Sequence, residues 1–328
     1  MTMSVGERGA GEPFGVGLVG SSATSRFVCE RLSLRGDLRL IATWSEESVE
    51  ESARTLAGIA PTECRRHATP LDVIQDPAVR VVHFANGSSA DWMRQALGAA
   101  KSIVVESPQS LSLDELNRVA TDAASCRQTA AVYSPRRWEA DFPQARLALE
   151  SGRLGKLLRV RYSVHDYRLP GETYPRGVAH ELGWPVLDQL SVLLDSRPCH
   201  RFDWRHFPSD TDRGDGFLGR FDFAEDVSAV IEIQTRSLLS YRSGWMLEGT
   251  DGACRNGRLY TRTSDGEIID EPLPMPALSS DPFFDELASA LRGHTAELPT
   301  VNDAICIDVV LAGLSAPGMT VYASRGRK

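Results

Sequence analysis

The sequence predicts an α/β protein with two domains. The first is a doubly wound parallel sheet, and the second is an α+β domain with a mostly antiparallel sheet. Short apolar runs alternate with helical patterns as far as residue 135, which is typical of βαβ units. Between residues 200 and 260 strand-like runs instead follow one another, separated by Asp-Gly or Gly turns. The 328 residues are enough for two cores of ordinary size.

In the predicted first domain, residues 14–135, buried apolar runs predict the strands of the parallel sheet. They are Gly15–Val19, Leu38–Trp44, Val79–Phe84, Ser102–Val105 and Thr129–Tyr133. Amphipathic spacing and capping residues predict the helices that connect them. These are Ser21–Ser33, Glu46–Leu56, Leu71–Ile74, Ala90–Ala99 and Leu113–Ala124, the last capped by Ser110 or Ser112.

The predicted second domain, residues 136–328, combines helices with the antiparallel sheet. The helices are predicted at Phe142–Leu149, Gly183–Leu194, Pro282–Leu291 and Asn302–Leu314. Leu157–Tyr167 alternates like a half-exposed strand. The Gly-rich, charged segment 1–13 lacks the apolar centre of a signal peptide, so we expect it to be a disordered tail.

Charge and composition exclude several classes of function. Lys and Arg number 36 and Asp and Glu 44, giving a formal charge of −8, and no basic stripe is present. We therefore expect no nucleic-acid partner. No apolar run reaches membrane-spanning length, so we expect no membrane partner. The six cysteines lie far apart without a CxxC pair, which predicts reduced thiols in a cytoplasmic protein and no metal site.

A literal match to the dinucleotide fingerprint G-x-G-x-x-G occurs at Gly15–Gly20, and we interpret it as a decoy. Its glycines lie in the predicted strand, whereas the fingerprint of a Rossmann domain belongs to the turn after that strand. The residues predicted to hold the dinucleotide are therefore Gly20, Ser21, Ser22, Ala23 and Thr24. The N-terminal end of the following helix favours a diphosphate there. A turn that only caps the helix is the alternative interpretation.

The residue that contacts the adenosine ribose is expected at the end of the second strand, about 20 residues beyond the turn. Ser45 occupies that position, and Glu46 follows it. Glu46 would bind a ribose diol and disfavour NADP, whereas Ser45 would accept the extra phosphate of NADP. The sequence leaves NAD and NADP open and slightly favours NAD.

Five motifs occur in a specific order: F-A-N-G-S-S-A at 84–90, E-S-P at 106–108, R-R-W at 136–138, E-S-G-R-L-G-K at 150–156 and E-L-G-W-P-V-L-D at 181–188. They resemble the T-P-N-H-x-H-A-like loop and the E-K-P, R-R-F, E-S-G-x-L-G-x and D-x-G-x-H-x-x-D motifs of the Gfo/Idh/MocA oxidoreductases. That family contains glucose-fructose oxidoreductase and inositol dehydrogenase. The resemblance runs from about residue 14 to the C-terminal end.

This resemblance implies a Rossmann domain followed by a domain with a large open sheet that commonly forms the oligomer interface. It implies hydride exchange between NAD(P) and a sugar, polyol or related small carbonyl compound. It also implies that Asn86, Glu106 and Arg137 contact the cofactor. We therefore expect a small-molecule substrate and a homo-oligomer formed through the C-terminal sheet.

The proton-handling positions of the family are altered in this chain. The lysine of E-K-P is Ser107 here, the histidine of the last motif is Pro185, and the acid that opens this motif is Glu181. Hydride transfer at a C–O bond needs a proton donor or acceptor at the oxygen, which contributes about 10²–10⁴ in rate. The candidate catalytic residues are therefore Glu181, His180, Tyr167 and Ser107, an atypical set.

Glu181 also lies seven residues before Asp188, so one helix covering both would place them on one face. Asp188 is more simply interpreted as a helix residue with a structural hydrogen bond. For each of the other catalytic candidates, the alternative interpretation is an ordinary surface or core residue without a catalytic role.

Three functions are compatible with these residues. The one we favour is an NAD(P)-dependent oxidoreductase with a rebuilt acid–base set. Another is a catalytically degenerate homologue that binds a nucleotide or sugar-like ligand as a sensor or partner protein, since both proton-handling residues are replaced. The last is an NAD-assisted lyase or glycosidase, in which NAD is recycled in place.

Overall fold

The computed structural model describes residues 12–20, 23–46, 64–85, 87–106, 108–139, 141–167, 178–195, 197, 199–207, 216–275 and 281–312. They divide into two compact units, one from 1–134 and 279–305 and the other from 135–278 and 306–328. The first boundary lies one residue from its predicted position. The prediction of one continuous second domain over 136–328 is wrong, because 279–305 packs with the first unit.

Fourteen strands are present in the described part of the chain. They are β1 Phe14–Val19, β2 Leu38–Trp44, β3 Arg65–Arg66, β4 Val79–Phe84, β5 Ser102–Val105, β6 Ala130–Val132, β7 Leu157–Tyr167, β8 Cys199–His206, β9 Gly216–Phe223, β10 Val227–Gln234, β11 Arg236–Gly249, β12 Gly252–Arg255, β13 Arg258–Arg262 and β14 Ile268–Pro272.

The α-helices of the same residues are α1 Ala23–Ser33, α2 Pro70–Gln75, α3 Ala90–Gly98, α4 Leu113–Cys126, α5 Asp141–Glu150, α6 Val178–Glu181, α7 Gly183–Leu193, α8 Pro282–Leu291 and α9 Val301–Ala312. The predicted tail 1–13 lies outside the described residues apart from 12 and 13. The predicted helix Glu46–Leu56 lies outside them apart from its first residue. Within these ranges, no helix is both long and apolar enough to span a membrane.

The first unit is built on a parallel sheet with the strand order β3-β2-β1-β4-β5-β6. The order reverses between β1 and β4, as in a doubly wound fold. This confirms the predicted parallel sheet.

Two glycines allow the central strand β1 to pack closely against its neighbours. A Cβ at Gly15 would lie 2.1 Å from the carbonyl oxygen of Ala78, and one at Gly17 would lie 2.6 Å from Cγ1 of Val73. Both glycines lie inside β1, so their contribution is packing. This confirms that the first two glycines of G-x-G-x-x-G belong to the strand, as predicted.

The segment from 281 to 305 completes the first unit from the far end of the chain. The ring of Tyr133, which follows β6, packs on Phe283 and Phe284 of α8, with centroid distances of 4.9 and 6.0 Å. The N–H of Val132 donates to the carbonyl oxygen of Pro299 (2.8 Å). The segment therefore covers the edge strand of the parallel sheet.

The second unit is built on a sheet with the order β14-β13-β12-β11-β7-β10-β9-β8. Only the central pair of β7 and β10 is parallel within the described strands, which confirms the predicted mostly antiparallel sheet. Along β10 alternate residues from Val227 to Ile233 are buried, and those between them are half-buried. The strand thus presents one face to the core and the other to the outside.

We predict that Gly15→Ala destabilises the protein, because the added methyl group would overlap the backbone of Ala78. The expected loss is about 2–3 kcal/mol. Gly98→Ala is the control, since Gly98 lies in α3 and a Cβ there meets nothing within 4 Å. Urea unfolding followed by circular dichroism should give a lower midpoint for Gly15→Ala only. Equal midpoints for the two variants would contradict the packing of β1.

Candidate functional site

The six parallel strands of the first unit end at one edge of the sheet, and the residue after a strand continues the hydrogen-bond ladder. Four N–H groups donate to carbonyl oxygens there: Gly20 to Trp44, Ala85 to Val19, Glu106 to Phe84 and Tyr133 to Val105, at 2.8, 2.9, 3.1 and 2.8 Å. Gly20, Ala85, Glu106 and Tyr133 thus form one row, which we call the carboxyl-edge row. In open α/β sheets, ligands bind outside this edge, where the strand order reverses.

Gly20 makes the turn from β1 toward α1 in a conformation that favours glycine. Its φ is +91°. A Cβ at this position would lie 3.1 Å from Cβ of Ala85 and 3.4 Å from Oγ of Ser88. A residue with a side chain would therefore strain the backbone at this turn and crowd Ala85 and Ser88.

The other residues predicted to hold the dinucleotide are described only in part. Ser21 and Ser22 lie outside the described residues, as do Asn86 and Ser107. Ala23 begins α1, and Thr24 is half-buried in its first turn. The first turn of α1 contains no acidic residue, so no negative charge there opposes an anion.

The end of β2 carries the predicted ribose-contacting residues. Ser45 is half-buried and Glu46 is exposed. Sequence reasoning missed the aromatic pair beside them, in which the ring of Trp44 packs edge-on against that of Trp92 in α3 (5.3 Å). The Trp44 Nε1–H donates to the carbonyl oxygen of Ala68 (3.1 Å), which fixes the ring.

A buried histidine–carboxylate pair lies behind the carboxyl-edge row. Nε2 of His83 in β4 is 3.0 Å from Oε1 of Glu106, and their side chains are only 1% and 3% exposed. The ring of Tyr133 packs against the imidazole (5.6 Å). Glu106 was predicted to bind the cofactor. His83 was missed, although an imidazole inside the apolar run V-V-H-F was a signal that it needs a partner.

Two other groups of the first unit have pKa values raised by their own burial. Burial raises the pKa of the Tyr133 phenol, and the negative charge of Glu106 raises it further. Burial also raises the pKa of the Cys29 thiol to about 12. Both groups therefore stay protonated at neutral pH and cannot act as bases.

In the second unit, Arg137 forms a bidentate pair with Asp188. Nε and Nη2 of the guanidinium donate to the two carboxylate oxygens at 2.8 and 2.6 Å, and Asp188 is fully buried. The pair joins the 3-10 helix Pro135–Trp138 to α7. Asp188 has the predicted structural role, and Arg137, predicted to contact the cofactor, anchors α7.

Two of the remaining catalytic candidates lie just before α7. His180 and Glu181 end α6 and are half-buried. A break at Leu182 separates α6 from α7, so Glu181 and Asp188 are not on one continuous helix. Pro185 is in the first turn of α7, where a missing N–H is tolerated.

Tyr167 ends β7, and its side chain lies outside the described residues. Among the described side chains, no group of three or more His, Cys, Asp or Glu is arranged to hold a metal ion.

Comparison with known proteins relates the chain to oxidoreductases. No protein-family model matches it. The uncharacterized oxidoreductase YhhX of Escherichia coli is 29% identical over 168 residues, 49% of this chain and 48% of that protein. The match thus spans about half the length of this curated relative.

Solved structures show a similar fold over almost the whole chain. A probable oxidoreductase, yhhX, has a TM-score of 0.81 over 95% of this chain and 100% of its own, at 20% identity. An NAD-binding protein from Listeria innocua has a TM-score of 0.79 over 95% and 98%, at 19% identity. At these identities the likeness establishes the fold.

We predict that Asp188→Asn destabilises the second unit by about 3–5 kcal/mol, because it leaves the Arg137 guanidinium buried without its counter-charge. Glu150→Gln is the control, since it removes the more exposed pair with Arg146 in α5 (3.3 Å) and should change stability by less than about 1 kcal/mol. Urea unfolding measures both effects. Similar losses in the two variants would show that the buried pair does not anchor α7.

Proposed function

We propose that the protein is an NAD(P)-dependent oxidoreductase of the Gfo/Idh/MocA type that acts on a sugar, polyol or related small carbonyl compound. The observation that carries this proposal is the carboxyl-edge row at the reversal of strand order, with Gly20 turning into the N-terminal end of α1. Anions bind at such helix ends because free N–H groups and the helix dipole attract them.

The described residues fit a dinucleotide. At Gly20 the missing side chain lets a ligand approach the backbone closely. The first turn of α1 lacks acidic residues, which favours a diphosphate. When bound, the nicotinamide would exchange a hydride with the substrate.

Gly20, Ser21, Ser22, Ala23 and Thr24 would contact the diphosphate, and Ser45 the ribose. Glu46 favours NAD over NADP. We keep Asn86 and Glu106 as cofactor-contacting residues, with His83 holding the Glu106 carboxylate. Arg137 is the third predicted cofactor contact, and its bonds to Asp188 hold its guanidinium in place.

Because Ser107 and Pro185 replace the lysine and histidine of the resembling family, we propose that other residues act as the general acid and base. Ser107 can hydrogen-bond a substrate oxygen but does not titrate near neutral pH, and Pro185 has no donor. We propose that Glu181 or His180 accepts the proton of a substrate hydroxyl during oxidation and returns it during reduction. Tyr167 is a further candidate donor.

The degenerate, ligand-binding alternative is favoured by one observation. Pro185, at the histidine position of the resembling family, is half-buried at the start of α7 and offers no side-chain donor. On this alternative the dinucleotide binds without turnover.

We also propose a cytoplasmic homo-oligomer formed through the exposed face of the second unit's sheet. The six cysteines are free thiols, as is usual in a reducing compartment. The exposed face carries the ion pair of Arg159 with Glu248 (3.6 Å) and a contact of the His165 imidazole with the Glu232 carboxylate (3.3 Å).

We predict that Gly20→Ala weakens dinucleotide binding at least tenfold, because the methyl group crowds Ala85 and Ser88 and moves the turn. Calorimetric titration with NAD⁺, NADH, NADP⁺ and NADPH measures this. Gly266→Ala is the matched control, since its φ is also +91° but a Cβ there meets nothing within 4 Å.

Failure of the unmodified chain to bind any of the four dinucleotides would overturn the proposed function. If one binds, turnover of polyols and sugars, with Glu181→Gln lowering kcat about 100-fold, separates the enzyme from a binding protein. Binding without turnover supports the degenerate homologue. Release of a cleaved product without net NADH identifies the lyase or glycosidase.

The sheet-face oligomer should depend on salt, because its exposed face carries charged pairs rather than a continuous apolar surface. We expect light scattering to give more than one chain per particle at low salt and a smaller mass at 1 M NaCl, where the Debye length is about 3 Å. A monomer under both conditions would exclude this interface.

A further inference from the structure

An apolar cavity of about 90 Å³ lies within the second unit, apart from every residue assigned above. Five of its lining residues are buried apolar side chains from α7 and the residue after it, from β9 and from α9: Leu187, Leu190, Leu194, Phe221 and Ile307. A small cavity with such walls accepts apolar atoms more readily than water.

One charged side chain lines this cavity, that of Arg197, and Ser191 lines it as well. Nη1 of Arg197 lies 3.3 Å from Oε2 of Glu225, whose side chain is 65% exposed. A carboxylate thus already lies beside Arg197, held by an exposed ion pair of the kind that contributes little stability.

Two thiols also line the cavity, those of Cys199 and Cys306. Burial raises the pKa of Cys199 to about 11, and it raises the pKa of Cys306 as well. Both are therefore uncharged at neutral pH. Arg197 is then the one charged group among the described residues that line the cavity.

We propose that this cavity binds a short aliphatic carboxylate, with its hydrocarbon chain against the leucines of α7 and its carboxylate on Arg197 in place of Glu225. The proposal stands independently of the proposed oxidoreductase function. A cavity of about 150 Å³ accommodates benzene. The smaller volume here suits a chain of about four or five carbons.

Selectivity among ligands should follow from the apolar leucines and from Arg197. Each methylene buried against the leucines should tighten binding about fourfold until the cavity is full. A neutral molecule of the same length gains the same apolar contact but cannot replace Glu225 at Arg197. Length and charge therefore contribute separately.

The first test is calorimetric titration of the full chain with acetate, propanoate, butanoate, pentanoate and 1-pentanol. We expect affinity to rise along the acids to pentanoate and to be at least tenfold weaker for 1-pentanol. Equal affinities for acetate and pentanoate would overturn the role of the cavity. Equal affinities for pentanoate and 1-pentanol would overturn the role of Arg197.

Variants separate Arg197 from its present partner. Arg197→Met should weaken pentanoate binding at least tenfold, whereas Glu225→Gln should tighten it because the competing carboxylate is gone. Arg146→Met, which removes an ion pair with Glu150 in α5 of the same unit, is the control and should leave pentanoate binding unchanged. Weaker binding by Glu225→Gln would contradict the proposed exchange.

A second measurement needs no variant. Saturating pentanoate should slow alkylation of Cys306 by iodoacetamide at pH 9 at least fivefold, measured by mass spectrometry of the peptides. Cys126 of the first unit is the internal control and should react at an unchanged rate. An unchanged rate at Cys306 would overturn the proposal even if pentanoate bound elsewhere.

Discussion

The hydrogen bonds that continue the parallel ladder one residue beyond each strand constrain the rest of the first unit. The Gly20 N–H is bonded to the end of β2, and the chain turns there with a positive φ, which glycine adopts without strain. The same ladder places Glu106 directly beyond β5, where it is too buried to remain unpartnered. The turn at Gly20 and the buried carboxylate of Glu106 thus both follow from the parallel ladder continuing one residue past the strands.

In the described part of each unit, a buried ionisable pair joins segments distant in sequence. His83 and Glu106 join β4 to the end of β5, and Arg137 and Asp188 join a short 3-10 helix to α7. Burying charges is costly, and such pairs are more costly to break than to replace by apolar residues. Their presence is best explained by positioning, since each holds a segment that carries a candidate functional residue. Glu106 precedes Ser107, and α7 carries Pro185.

Sequence patterns predicted the elements that are buried and locally determined. Leu38–Trp44, Val79–Phe84 and Pro282–Leu291 have the predicted bounds because an apolar run or a capped helix marks both ends. β14 was missed because almost all its residues are exposed, so its sequence shows no alternation of apolar and polar side chains. Among the described strands it pairs only with β13. The His83–Glu106 contact was missed because it spans 23 residues and depends on register between strands. The packing of α8 with the first unit is likewise a long-range result, which local periodicity does not indicate.

The return of residues 281–305 to the first unit has a consequence for how the chain folds during synthesis. Until the chain about 150 residues beyond β6 has left the ribosome, this edge strand lacks the aromatic cover of Phe283 and Phe284. A nascent intermediate that ends in the second unit would therefore expose Tyr133 and an unprotected strand edge. Exposed edges of this kind favour aggregation and chaperone capture. The yield of folded protein would then depend on translation speed and chaperone supply as well as on equilibrium stability.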